Sequence, residues 1–293
     1  MNNAFKGSGV ALVTPFNEDL TIDFDALKKL VRYQIDNGTD FLVVQGTTGE
    51  SPVLSYEEKH AVLKAVQTEN EGALKIVYGV GGNNTLQIGE ELSSLPGGID
   101  GILSVSPYYS KPSQQGIIDH YKYLASCTSL PIILYNVPGR TGSNISADTT
   151  LELAQIENIV AMKEASGDFD QITSIVMNKP DGFGVLSGDD AITMPLITIG
   201  VEGVISVVAN AFPSKFSQMV HAAINGDIQT ARRIHFDILP VTHMLFEEGN
   251  PGGVKAALNK QGLLNSYMRQ PLAPISDDLR GRIEIETQRL LPK

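Results

Sequence analysis

The chain of 293 residues has one cysteine, Cys127, so no disulfide can form within it. A single thiol also rules out a thiolate zinc cage. The five histidines (His60, His120, His221, His235 and His243) show no HExxH or comparable ligand spacing, and no metal is expected. No apolar run approaches the ~20 residues of a membrane-spanning helix. The opening Met1-Asn2-Asn3-Ala4-Phe5-Lys6-Gly7 leads into no apolar signal region, so a signal peptide is not expected and a cytoplasmic location is. Basic charge is scarce. With 22 Lys and Arg against 33 Asp and Glu, the net charge is −11, which argues against nucleic acid or an acidic membrane as partner. The acids are dispersed, without the long like-charge runs of a disordered tail. No Gly-x-x-x-x-Gly-Lys loop occurs. In Gly79-Val80-Gly81-Gly82-Asn83-Asn84, Asn84 takes the place of the third glycine of a dinucleotide fingerprint, so nucleotide binding is not expected.

What the chain does have is apolar content of 42%, enough for a large core. Apolar, β-branched runs alternate with amphipathic helical patterns. The spacing predicts strands at 9–14, 41–45, 76–80, 101–106, 132–135, 160–163, 184–186 and 203–207. Helices are predicted near 23–37, 55–70, 84–94, 114–126, 146–155, 168–178, 189–199 and 213–224. Asp23 and Gly38 read as the N-cap and C-cap of the first helix, and Ser55 with Glu58 as a capping box for the second. Eight strand–helix units in about 225 residues is the count of a (β/α)8 TIM barrel. A doubly wound open sheet would carry fewer strands and a phosphate loop. Beyond the eighth unit only helical patterns follow, at 227–247, 251–261 and 278–290. Asn250-Pro251 reads there as an N-cap followed by proline at the first helical position. The expectation is a barrel domain at 1–226 and a C-terminal helical domain at 227–293, packed on the barrel or on a neighbouring subunit.

The stretch Ile159-Val160-Ala161-Met162-Lys163-Glu164 begins as a strand buried on both faces and delivers a lysine at its carboxyl end. Two readings stand open: a charge that reaches water at the rim, or an amine nucleophile that adds to a carbonyl as a Schiff base. The other strand ends bear on the choice, because the carboxyl ends of barrel strands hold the active site. They supply Thr14, Thr47 and Thr48, Tyr108 and Tyr109, Tyr135 and Arg140, then Gly188 and Asp189, then Ile205 and Ser206. Each has an ordinary alternative. Thr47 and Thr48 suit a cap, the tyrosines a rim, Arg140 a solvated loop and Asp189 the N-cap of the next helix. Together they are one amine, several hydroxyls, one guanidinium and glycine turns with exposed N–H groups. Few carboxylates face the centre, which argues against glycoside hydrolysis and metal-assisted chemistry and suits a keto acid.

Gly46-Thr47-Thr48-Gly49-Glu50, Tyr135-Asn136-Val137-Pro138 and Lys163 resemble the lysine-dependent class I aldolase superfamily of N-acetylneuraminate lyase and dihydrodipicolinate synthase. The likeness runs from Thr14-Pro15-Phe16 to Asn250-Pro251 and Lys255. Within it the synthases match best. Thr47 stands where the lyases carry serine, Pro107-Tyr108-Tyr109-Ser110-Lys111-Pro112 brings a tyrosine pair, and Gly139-Arg140-Thr141-Gly142 brings an arginine the lyases lack. The resemblance implies that Lys163 forms an imine with pyruvate, whose enamine attacks aspartate 4-semialdehyde. It implies a proton relay of Thr47, Tyr135 and Tyr109, the last reaching in from a partner subunit. Thr48 and backbone N–H groups would hold the pyruvate carboxylate, Arg140 the semialdehyde carboxylate, and Gly188, Asp189 and Ile205 would line the site. It implies no organic cofactor and a homotetramer built as a dimer of dimers. Two alternatives remain open here: a Schiff-base retro-aldol lyase of a sugar acid, and a non-catalytic barrel that binds a small acid. The family's feedback site for lysine would fall on Tyr56, Lys59 and Gln87, with Asn83 and Tyr108. A neutral Gln87 and a cationic Lys59 there lead to an expectation of weak or absent inhibition.

Overall fold

The computed structural model describes residues 5–291. Residues 1–4 and 292–293, which include the outermost ends of both expected domains and the start of the stretch read for a signal peptide, lie outside the described residues. Eight parallel strands form a closed barrel in sequence order: β1 (Gly7–Ala11), β2 (Phe41–Val44), β3 (Lys75–Gly79), β4 (Gly101–Val105), β5 (Ile132–Asn136), β6 (Ile159–Glu164), β7 (Gly184–Ser187) and β8 (Gly203–Ser206). Closure is made by β1 against β8, with Gly7 opposite Gly203 and Gly9 opposite Ile205. Every strand expected from the apolar runs is present, shifted by three residues or fewer at either end. Continuous apolar character is what a strand needs when the barrel interior lies on one face and helices on the other.

Alternate residues divide between these two cores. The inward set includes Phe41 and Val43, Val77, Leu103, Ile133 and Tyr135, Ala161, Leu186 and Ile205. Phe5 and Phe41 meet edge to face at 5.8 Å and fill the lower end. Gly9 lacks a side chain where one cannot fit: a Cβ there would come within 2.2 Å of the Phe41 ring. The upper end carries small inward residues instead, Ala11, Ala165 and Gly188, and is hollow.

The expected helices form between the strands. Asp23 accepts from Ala26 N at 2.9 Å as an N-cap, and the Ser55–Glu58 capping box is complete. Three expectations need correction. The first helix, Phe24–Asp36, is capped by Asn37; Gly38 follows it with φ +84°, the left-handed conformation glycine tolerates. The helix expected at 189–199 spans only Thr193–Thr198. The helix expected from Pro251 starts at Gly252 with Pro251 as its cap, because the Asn250 side chain is drawn away to Thr48. The short helix Pro138–Thr141 and the single turns at Thr47–Gly49, Ser51–Val53 and Val208–Asn210 are too brief to show a period in sequence.

The C-terminal helices are Ile228–Glu247, Gly252–Lys260 and Asp277–Leu290. The first packs on Pro213–Ile224, and the last packs on the other two. Ala231, Val241, Leu245, Val254, Leu258 and Ile283 join the same apolar core as the outer face of the barrel, so the appendage continues that core.

Candidate active site

Strand β6 points Lys163 into the barrel and Glu164 out of it. Lys163 is 5% exposed, and its Nζ lies 4.3 Å from the centroid of the Tyr135 ring, which sits opposite it in register. No hydrogen bond or ion pair holds this amine among the described residues. Glu164 is buried on the far side, where it accepts from Asn136 Nδ2 at 3.1 Å, Ser166 N at 2.7 Å and Gln171 Nε2 at 3.0 Å. Burial pushes its carboxyl above the usual range against those hydrogen bonds. The carboxylate next to Lys163 in sequence is thus kept out of the cavity.

The cavity above Lys163 has a volume of about 440 Å³. It brings together Lys163, Tyr135, Thr47, Thr48, Arg140, Gly188 and Asp189, seven of the residues singled out in the sequence. Thr48 is buried, and its hydroxyl accepts from Asn250 Nδ2 at 3.0 Å. Thr47 is exposed to the mouth, and the first N–H groups of its helical turn have no intrahelical partner. Gly188 makes room for the lysine: a Cβ there would stand 2.7 Å from Ala165 Cβ and 2.9 Å from Lys163 Cε. Arg140 lies exposed at the rim without a protein partner among the described residues. A second cavity of about 260 Å³ adjoins the first across Thr47, Tyr135 and Arg140 and is also lined by Lys59, Glu91 and Tyr108.

Two of the nine expected site residues stand apart. Ile205 is buried in the barrel interior, and Val207 of the same strand end lines the cavity instead. Tyr109 is 89% exposed, with φ +69°, outside both cavities. Asp189 lines the cavity but does not cap a helix, correcting its expected job. The hydroxyls of Ser187 and Thr193 both donate to its carbonyl, at 2.9 and 2.8 Å, and fold the loop into a turn, so the helix begins four residues later.

Sequence reasoning missed Asp190. It is fully buried, and its Oδ2 accepts from Val207 N at 2.9 Å and Val208 N at 3.1 Å. Burial pushes its carboxyl up to about 6, opposed by Ser206, these N–H groups and Lys163. The adjacent pair Asp189-Asp190 was the available signal: of two neighbouring acids in a loop, one faces the protein. Of the feedback positions, Tyr56 and Gln87 are exposed and Lys59 is half-buried. Glu91 faces the same small cavity as Lys59 and was also missed.

Among the described residues no group of three or more His, Cys, Asp or Glu is placed to hold a metal ion, and no helix is long and apolar enough to cross a membrane. The profile of the dihydrodipicolinate synthetase family matches residues 4–289. A 4-hydroxy-tetrahydrodipicolinate synthase of Parabacteroides distasonis is 54% identical over 271 residues, covering 92% of this chain and 91% of the relative. Dihydrodipicolinate synthase from Aquifex aeolicus superposes with a TM-score of 0.94 at 40% identity, over 97% of this chain and 98% of that one. The chloride-inhibited dihydrodipicolinate synthase from Acinetobacter baumannii, complexed with pyruvate, superposes at 0.95 and 39% identity over 97% and 98%. On sequence and structure alike, the chain belongs to the dihydrodipicolinate synthetase family.

Proposed function

We propose that this chain is a 4-hydroxy-tetrahydrodipicolinate synthase, a lyase of the class I aldolase type that condenses pyruvate with L-aspartate 4-semialdehyde in diaminopimelate and lysine biosynthesis. The observation that carries this reading is Lys163: a buried amine, untied by any protein partner among the described residues, at the floor of a cavity lined by Tyr135, Thr47 and Thr48. The A. baumannii relative complexed with pyruvate supports the first substrate.

In this reading Lys163 Nζ adds to the keto carbon of pyruvate, and water leaves as the imine forms. Loss of a proton from the methyl carbon gives the enamine, with the lysine nitrogen as electron sink. The enamine carbon bonds to the aldehyde carbon of the semialdehyde. The amine of that substrate then displaces Lys163, closes the ring and frees the enzyme. Thr47, Tyr135 and Tyr109 relay the protons. Thr48 and the first N–H groups of the 46–50 turn receive the pyruvate carboxylate. Arg140 receives the semialdehyde carboxylate, where a planar fork matches two oxygens. Gly188 and Asp189 shape the walls, with Val207 in the place expected of Ile205. The chemistry needs no organic cofactor and no metal.

Tyr109 fits this scheme through assembly. Its phenol is 89% exposed outside its own cavity, which supports a reading in which it enters a neighbour's site in a tight dimer paired into a homotetramer. The barrel, residues 1–226, carries the chemistry, and residues 227–293 support it. A cytoplasmic setting suits the pathway.

The test is a coupled assay with pyruvate and aspartate semialdehyde, run beside a pyruvate-release assay on N-acetylneuraminate and 2-keto-3-deoxy sugar acids. Turnover in the first alone is expected. Turnover in the second alone would make the chain a retro-aldol lyase, and none in either a binding barrel.

A further inference from the structure

The turn from Gly46 to Glu50 is bracketed by two non-glycine residues in left-handed conformation, Gln45 with φ +64° and Glu50 with φ +56°. Such residues cost on the order of 1–3 kcal/mol each and persist where surrounding contacts over-determine them. Those contacts come largely from the other end of the chain. Asn250 Nδ2 donates to Thr48 Oγ1 at 3.0 Å. Lys255 Nζ donates to Glu50 Oε1 and, at 2.8 Å, to the Tyr267 carbonyl. Both side chains of the Glu50–Lys255 ion pair are fully buried. Arg269 N donates to Glu50 Oε2 at 3.1 Å, and its guanidinium holds Glu58 and the carbonyls of Leu20 and Val53. From within the barrel, Thr14 grips the turn by donating to Gly49 O at 2.6 Å.

We propose that Asn250 and the Glu50–Lys255 pair are positioning residues for the pyruvate carboxylate, holding the 46–50 turn in its strained shape above Lys163. The proposal rests on the functional reading above and adds a role to the C-terminal helical region. Its chemistry is directional. Because Asn250 donates into Thr48 Oγ1, the hydroxyl proton of Thr48 is left to point at an anion in the cavity. Because the pair is dry on all sides, Glu50 has no solvent to turn to and stays fixed.

The experiment uses pyruvate alone, with borohydride trapping of the imine on the full-length protein. Asn250→Ala is expected to raise the pyruvate concentration for half-maximal trapping about five- to tenfold, the worth of one or so hydrogen bonds. The double variant Glu50→Gln with Lys255→Met removes both charges together, which spares the fold a lone buried ion. It is expected to raise half-saturation by a similar factor while circular dichroism and maximal trapping at saturating pyruvate stay as in the wild type. In a Thr48→Val background, Asn250→Ala should have no further effect, because its action passes through that hydroxyl. Folded variants with unchanged half-saturation, or effects of Asn250→Ala and Thr48→Val that simply multiply, would overturn the proposal. Failure of the wild type to trap pyruvate at all would strike the proposed function instead, so the two failures are distinct.

Discussion

Among the described residues two lysines are buried, and they are buried differently. Lys163 and Lys255 each lie over an aromatic ring, at 4.3 Å from Tyr135 and 4.5 Å from Phe16. Lys255 is tied on both sides, to Glu50 and to the Tyr267 carbonyl, and no part of its side chain meets solvent. Lys163 has no such tie among the described residues and opens onto a cavity. An amine whose hydrogen-bonding capacity is spent on a carboxylate and a carbonyl is a strut. An amine with a free approach on one side is a reagent. Burial alone does not make a nucleophile; the absence of a partner at the place where a substrate fits does.

The sharpest way to break this contrast is to exchange the consequences of losing each lysine. Lys163→Ala should lower kcat by ~10³-fold or more, as loss of a nucleophile does, with the unfolding midpoint little changed. Peptide mapping of the borohydride-trapped wild type should place the pyruvyl group on Lys163. A label on Lys255 would invert the assignment.

Lys255→Ala should do the opposite. It leaves Glu50 buried without its ion, which typically costs about 3–5 kcal/mol, read as a loss of unfolding free energy in denaturant. A variant as stable as the wild type would show that Glu50 finds another partner.

Arg140 extends the comparison to a cation that is neither tied nor buried. Arg140→Ala should leave pyruvate trapping intact and raise the KM for the semialdehyde by about ten- to a hundredfold, the worth of a charge-assisted contact. Equal loss of both functions would give Arg140 a role in holding the rim.

Lys59 is the half-buried intermediate. With a cation there and a neutral Gln87 where a carboxylate would meet the ligand's ammonium, free lysine should reach half-inhibition only above ~1 mM. Inhibition well below that would mean that Glu91, in the same small cavity, supplies the charge Gln87 lacks.

The smallest effect belongs to a wet pair at the lower end of the barrel. His221 Nε2 meets Asp40 Oδ2 at 2.7 Å, and the hydrogen bond to that carboxylate raises the pKa of His221, partly opposed by burial. A raised histidine pKa contributes stability that is whole below the ordinary value near 6.5 and is lost as pH rises through the shifted one. Both side chains are more than a third exposed, so the effect should stay under about 1 kcal/mol. Unfolding free energies of the wild type and Asp40→Asn should therefore converge as pH climbs from 6 toward 9. A gap that stays constant with pH would mean that Asp40 acts chiefly through its hydrogen bond from Ser8 N, which does not titrate.

The sequence made the barrel legible because parallel strands covered on both faces leave unbroken apolar runs, and because glycine turns mark where they end. Lys163, Tyr135, Thr47 and Thr48 were legible for a related reason: strand ends in sequence order converge on one rim. What stayed hidden depends on closure. Glu50 and Lys255 are 205 positions apart, and neither residue alone announces a buried pair. Asp189 looked like a cap because acids before helical patterns usually are; two hydroxyls converging on its carbonyl delayed the helix. Asp190 was passed over because its partners are backbone N–H groups of the turn that follows β8, which no side-chain pattern encodes. Asn250 suited a helix start by local rules, and a buried hydroxyl 202 residues away claimed it.

The phenyl rings of Phe5 and Phe41 across the foot of the barrel have a consequence for the order of events. A vessel stoppered below has one doorway. Lys163 stands at the bottom of it and Arg140 at the lip, so the molecule meant for the amine passes the place proposed for the second. On the proposed function, entry is expected to be a queue with a fixed sequence: the keto acid first, covalently moored before the aldehyde settles over it. By the same reading an aldehyde that arrives early should block the way, and the finished ring should leave through the same door before the next turn begins.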